Sequence, residues 1–190
     1  KVDWTESYNG ETVEVQQETD NPGPIFALND VKPGDYGEAT ISIHVYENDA
    51  WVWMGVILTS NDEVDCTEPE AETGEDSPDD PEDNFDGELA QNIDVLIWYD
   101  DGDNVHEEGE TEIYDGTLYD LSESPWIQLD GKLGEDGIQP FTGCTTYHIG
   151  FKWEIDEDVG NIIQSDSCTF SISFYAEQFR NNPNPSGPVQ

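Results

Sequence analysis

The run "EATISIHVYEN", residues 38–48, places Ala39, Ile41, Ile43 and Val45 on one side and Thr40, Ser42, His44 and Tyr46 on the other. A period of two is the signature of a strand with one buried face, because successive side chains leave the sheet on opposite sides. The pattern recurs. In "TTYHIGFKWEI" (145–155), Tyr147, Ile149, Phe151, Trp153 and Ile155 share a face, and in "SCTFSISFYAEQF" (167–179) Phe170, Ile172 and Phe174 do. "AWVWMGVIL" (50–58) is apolar throughout and predicts a strand buried on both sides.

Turn chemistry separates these runs. Asn9-Gly10 stands between "KVDWTESY" and "ETVEVQQ", a dipeptide that takes the positive φ angles of a type I′ hairpin turn. "NPGP" (21–24) and "VKPGDYG" (31–37) punctuate further. "ELAQNI" predicts one helical turn before the strand "IDVLIWY", and "TLYDLSES" a short helix between "TEIYDG" and "PWIQL". No amphipathic helix of useful length and no internal repeat occurs. Roughly eight to ten short strands with such turns predict an all-β protein, a jelly-roll-like β-sandwich in one domain over residues 1–190. Two segments stand outside it: a long acidic loop insertion at 60–88, and a Pro/Asn-rich tail at 181–190 that suits neither helix nor central strand.

Charge sets the environment. Against 45 Asp and Glu stand five Lys and Arg, a formal net charge of −40. Such a surface repels itself, and compaction is tolerable where salt near molar strength shortens the Debye length to about 3 Å. Six Trp, eight Tyr and seven Phe separate the chain from a disordered acidic tail. The balance therefore predicts a folded protein of a halophile. It excludes nucleic acid as a direct partner, since phosphate demands a basic footprint. No apolar run approaches the roughly 20 residues that cross a bilayer. Cys66, Cys144 and Cys168 allow one disulfide with its pairing undetermined, and no CxxC pair suggests zinc.

The stretch most suggestive of chemistry is "YDDGDNVHEEGE", residues 99–110. Asp100, Asp101, Asp103, Asn104, Glu107 and Glu110, with Glu108, offer the hard oxygens that Ca²⁺ selects. The register is not that of an EF-hand: counting from Asp101 puts Val105 at the fifth place and His106 where Gly belongs. The expectation is a hairpin connection with an acidic surface, and an irregular Ca²⁺ loop is its rival. Catalysis finds no support. His44, His106 and His148 are scattered, and no HExxH, GxSxG, P-loop or GxGxxG occurs. Carboxylates this abundant bring pairs together by chance, so we expect no enzyme.

The C-terminal third, "QPFTGCTTYHIGFKWEIDEDVGNIIQSDSCTFSISFYAEQFRNN", resembles haloarchaeal proteins exported with SipW-type signal peptides, relatives of the TasA/camelysin fibre proteins. The resemblance rests on Trp153, on Val159, Gly160, Asn161, Gln164, Asp166 and Ser167, and on Phe174–Gln178 with Arg180 and Asn181. "VKPGDYGEATISIHVYEN", "WVWMGVILT", "TEPE" and "GELAQNIDVLIWYDDGDN" extend it over nearly the whole chain. It implies a jelly-roll subunit secreted by the Sec route and assembled into extracellular pilus-like or biofilm-matrix fibres. In the fibre-forming relatives an N-terminal segment leaves its own domain and completes the next subunit's sheet, which is donor-strand complementation. Relatives carry a short segment before the first strand, whereas this sequence starts at Lys1, so the donor candidate here is Val2, Asp3, Trp4, Thr5, Glu6, Ser7 and Tyr8. Relatives often have Cys at the positions of Tyr147 and Phe179, so no disulfide pairing carries over. The expected partners are other copies of the chain. The competing expectation is a monomeric secreted or cell-surface binding module for Ca²⁺ or a surface polymer.

Overall fold

The computed structural model describes residues 2–16, 25–26, 30–63, 87–123 and 126–188, with only the backbone at 2–6 and 12–16. Nine strands are described: β1 (Val2–Tyr8), β2 (Glu11–Gln16), β3 (Tyr36–Val45), β4 (Ala50–Asp62), β5 (Ile93–Asp100), β6 (Glu112–Thr117), β7 (Trp126–Leu129), β8 (Thr145–Ile155) and β9 (Ser167–Gln178). Two short helices, α1 (Leu89–Asn92) and α2 (Leu118–Glu123), lie where the sequence predicts them. No helix among the described residues is long and apolar enough to cross a membrane.

The strands form two antiparallel sheets, ordered β2-β1-β3-β8-β5-β6 and β7-β4-β9. The all-β sandwich read from alternation is thus what forms. Between β3 and β9 the chain crosses from one sheet to the other at every connection but the β5–β6 hairpin, a trait shared with jelly rolls. The order β3-β8-β5 against β4-β9 matches strands B-E-D against C-F of an immunoglobulin-type sandwich. The inner rows mesh between the sheets: Ile97, Ile149, Phe151 and Ile155 meet Val52, Met54, Val56 and Leu129 in one core, all nearly inaccessible. Phe151 stacks on Phe170 across the gap, ring centres 5.9 Å apart.

The first hairpin turns at Asn9 (φ 47°) and Gly10 (φ 79°), both in the left-handed region that the Asn-Gly pair predicts. Tyr8 Oη and Asn9 Nδ2 donate to Asp35 at 2.9 and 3.1 Å, and Lys32 N donates to it at 3.0 Å. Burial opposes ionisation of Asp35, but these donors and the Lys32 charge outweigh it and hold its carboxyl below the ordinary range.

Each sheet has an outer surface partly covered by irregular chain. On the first, Trp98 faces away from the core yet is fully buried. Gly150 opposite leaves the room, for a Cβ there would lie 2.1 Å from the indole. On the second, β4 buries residues 51–56 on both faces, as its apolar run predicts. Its outer cover is the tail, which turns back over the sheet after Gln178: Trp51 Nε1 donates to Asn182 O at 2.8 Å, and Gly187 packs against Trp53. Glu177 secures the tail by accepting from Asn182 Nδ2, Ser186 Oγ and Gly187 N. Three prolines, Pro183, Pro185 and Pro188, keep this segment out of any ladder that needs successive N–H donors.

Candidate functional site

The acidic knot connects β5 to β6 and folds back over the outer face of the first sheet. His106 packs on Trp98 with ring centres 5.3 Å apart, which explains how an outward indole is buried. Thr40 Oγ1 donates to Asp100 Oδ2 at 2.5 Å, and the amide of Asn104 lies 2.9 Å from the same hydroxyl. Asp100 also accepts from Gly102 N at 3.0 Å, and Asp103 from Val105 N at 3.0 Å, the local loop chemistry of Asp. Glu110 closes the loop: its two oxygens accept from Asp101 N at 3.1 Å and Glu107 N at 2.9 Å.

The predicted Ca²⁺ ligands therefore divide. Oxygens of Asp100, Asp101 and Asp103 lie within 4.8 Å of one another, whereas Glu110 is engaged with backbone amides and Glu107 stands outside the cluster. The three gathered carboxylates would supply part of the six to eight oxygens that Ca²⁺ takes, and Asn104, whose oxygen shares the Thr40 hydroxyl with Asp100, lies beside them. Each Asp at 100 and 103 has a hydrogen-bonding task in building the turn.

A second carboxylate group, missed by the sequence reading, sits at the root of the acidic insertion. Oxygens of Glu63, Glu88 and Asp166 lie within 4.8 Å of one another. Asp166 Oδ2 accepts from Glu88 N at 2.7 Å and Leu89 N at 2.9 Å. Burial, with the facing Glu63 carboxylate, pushes Asp166 up to about 7 despite those two amides. Buried Asn61 completes the clasp: its amide donates to Gly87 O and to Gln91 Oε1 (2.9 Å), and its oxygen accepts from Ala90 N at 3.0 Å. Both ends of the insertion are thereby held to β4 and β9. The insertion predicted at 60–88 is shorter in the fold, because residues 60–62 continue β4 with Asn61 buried; residues 64–86 with Cys66 lie outside the described residues. Asp166 belongs to the motif that carries the family resemblance, but nothing in its sequence neighbourhood reveals a partner 78 residues away.

The feature with the clearest capacity for binding is a strand edge. Among the described residues β9 pairs only with β4, along Ala50↔Gln178 to Asp62↔Ser167. An immunoglobulin-type sandwich seats a seventh strand beside its sixth. Here the chain after β9 crosses the outside of β4 instead, so its own tail does not take that seat. The consequence shows in burial. Phe170, Ile172 and Phe174 point into the core but are only half-buried, although the matching row of β8 is almost completely buried. Beside the start of β9 a groove of about 980 Å³ opens between the sheets, lined by Val31, Leu89, Ile93, Trp153, Cys168 and Phe170, with Asp30, Gln164 and Asp166 at its rim.

Val2–Tyr8, the predicted donor, occupies an interior position in its own sheet. Its backbone pairs with β2 and, from Val2↔Ile43 to Tyr8↔Gly37, with β3. Cys144 and Cys168 are both free thiols, so the one bridge the composition allows does not join them. Burial and the Asp166 charge push the Cys168 thiol up to about 11. Of the histidines, His148 and His44 lie in strands and meet Ser42 and Thr146 hydroxyls at 3.0 and 2.9 Å.

In comparison with known proteins, the chain matches no protein-family model, and no curated protein is significantly similar to it.

Proposed function

We propose that this chain is a structural subunit of an extracellular filament of a halophilic archaeon, joined to its neighbours by strand complementation at β9. The observation that carries the reading is the edge of β9 beside a half-buried apolar row and an apolar groove. A strand added there satisfies the backbone N–H and C=O groups of the edge and buries Phe170, Ile172 and Phe174 without any opposite charge. That matters for a subunit of net charge −40, whose copies repel one another through every acidic surface. Head-to-tail contacts of this kind propagate as filaments where their rotation does not close a ring.

The donor in this reading is Val2–Tyr8 of a neighbouring copy. Its alternation puts Val2, Trp4, Glu6 and Tyr8 on one face and Asp3, Thr5 and Ser7 on the other, with Val2 and Trp4 the apolar pair for the groove. Donation is an exchange, because the segment must leave its ladders with β2 and β3. The latch of Tyr8 and Asn9 on Asp35 is then the contact that has to open first.

The test is electron microscopy of the protein in molar KCl, combined with mass-spectrometric mapping of thiol alkylation. Filaments are expected, with Cys168 strongly protected relative to the monomer and exposed Cys144 still reactive. A peptide spanning residues 1–8, added in excess, is expected to halt growth. Monodisperse particles at micromolar concentration would overturn the filament reading. Filaments with unchanged Cys168 reactivity would overturn β9 as the acceptor.

A further inference from the structure

Charged residues make up 26% of the chain, yet none falls within residues 50–60, 126–129 or 167–176. Those three stretches are β4 up to Ser60, β7 and β9 up to Ala176, so the second sheet carries charge only at Asp62 and Glu177, one near each end. Its inner face is core, where charge is excluded anyway. Its outer face is different. There Trp126 lies over Gly55, and Trp53, Tyr175 and Trp126 form a contiguous aromatic group with ring centres 5.7 and 6.5 Å apart. Ile57 and Tyr175 are 39% and 38% exposed, and Ser171 beside them is exposed as well. The tail covers the sheet near Trp51 and Trp53 but leaves the Ile57 end open.

We infer that the part of this outer face around Trp53, Trp126, Tyr175 and Ile57, which carries no charged residue because Glu177 is engaged by the tail at its border, is a contact surface for a second copy of the chain, face to face. Charge identifies the occupant. A cationic partner would be met by the acid that covers the rest of the surface, and a neutral face would weaken its binding. A copy of net charge −40 is the body for which carboxylates on the contact would be most unfavourable, since like charges juxtaposed at an interface cost several kcal/mol. Two such faces meeting bury aromatic and aliphatic surface and keep both acid layers outside, the pattern of an interface core depleted of charge. The contact runs across the sheet rather than along the β9 edge, so it joins copies laterally and does not require the filament reading.

The test is sedimentation velocity and electron microscopy of the full chain in molar KCl, with Ile57→Asp, Tyr175→Asp and, as an off-face control, Ile138→Asp, itself 45% exposed. The wild type and Ile138→Asp are expected to associate laterally, as dimers or as bundled filaments. Ile57→Asp and Tyr175→Asp are expected to weaken that association at least about tenfold, equivalent to ~1.4 kcal/mol, with thermal unfolding showing that each variant is folded. Single filaments that never bundle would overturn the face contact and leave strand complementation standing. Bundles or dimers unaffected by Ile57→Asp would overturn it too. So would a wild type that stays monomeric but binds a neutral polysaccharide, which would reassign the aromatic group to sugar stacking. Lateral dimers without filaments would support this contact and sink the end-to-end one.

Discussion

β8 and β9 read almost alike in sequence, each a long strand with large apolar residues at every second position, and the fold treats them in opposite ways. β8 lies between β3 and β5, hydrogen-bonded on both sides, and Ile149, Phe151, Trp153 and Ile155 are buried. β9 is paired with β4 alone among the described residues, and Phe170, Ile172 and Phe174 are half-covered. An identical pattern thus yields a strand paired on both sides in one place and, among the described residues, on one side in the other. What separates them is the number of neighbours that topology supplies, not the side chains.

That contrast can be broken directly. Phe151→Ala removes a fully buried ring at the centre of β8 and is expected to lower stability by about 3–5 kcal/mol. Phe170→Ala, its stacking partner on β9, is expected to lower that of the dispersed chain by only ~2 kcal/mol, because its ring is already partly exposed. Urea unfolding of both in molar salt measures the difference. In assembled material the gap is expected to narrow, and equal costs in the dispersed chain would remove the distinction between the two strands. Next in size, Gly150→Ala drives a methyl into the Trp98 ring and is expected to cost about 1–3 kcal/mol, visible as lost tryptophan burial in fluorescence.

The clasp at Asp166 sharpens the comparison at the start of β9. Its carboxyl is raised to about 7 in the fold from an ordinary value near 3.8. The folded state therefore holds a proton that the unfolded chain has already released, so stability is fully present below pH ~4 and falls as pH rises through about 7. Asp166→Asn is expected to flatten that fall. The gain at pH 8 relative to pH 5 should be ~1 kcal/mol, well under the ~1.4 kcal/mol per pKa unit of a fully buried group because solvent screens this one. Thermal unfolding at the two pH values checks it, and a difference that persists in Asp166→Asn would relocate the titration. The smallest effect is expected at the knot on the outer face of the first sheet. Glu110→Gln weakens two amide contacts at an exposed turn and should cost about 0.5–1 kcal/mol, with amide exchange accelerated at Asp101 and Glu107 alone.

Much of this was legible in the chain. Alternation placed β3, β8 and β9 and chose their inner faces, since the two-residue period of a strand leaves a mixed apolar and polar segment only one way to be half-buried. Asn9-Gly10 placed the first turn, and the doubly apolar run at 50–58 announced a strand covered on both sides without saying by what. The acidic knot was legible as a turn, and its tie to Thr40, 60 residues earlier, was not. Nor was the Asn61–Asp166 clasp, or the coverage of Trp98 by a loop that reads as wholly solvent-loving.

By itself, then, the sequence determined the local quantities: strand periods, turn positions, the acidic surface and the three charge-free stretches, all set by side chains and their immediate neighbours. Tertiary structure alone decided which strands acquired two neighbours and which, among the described residues, kept an edge, that the proline-bearing tail covers β4 rather than extending the sheet, and that three uncharged segments far apart in the chain share one sheet. The reason is physical. A strand's preference for pairing is carried by backbone groups common to every residue, so no side-chain pattern records whether a partner arrives on one side or both.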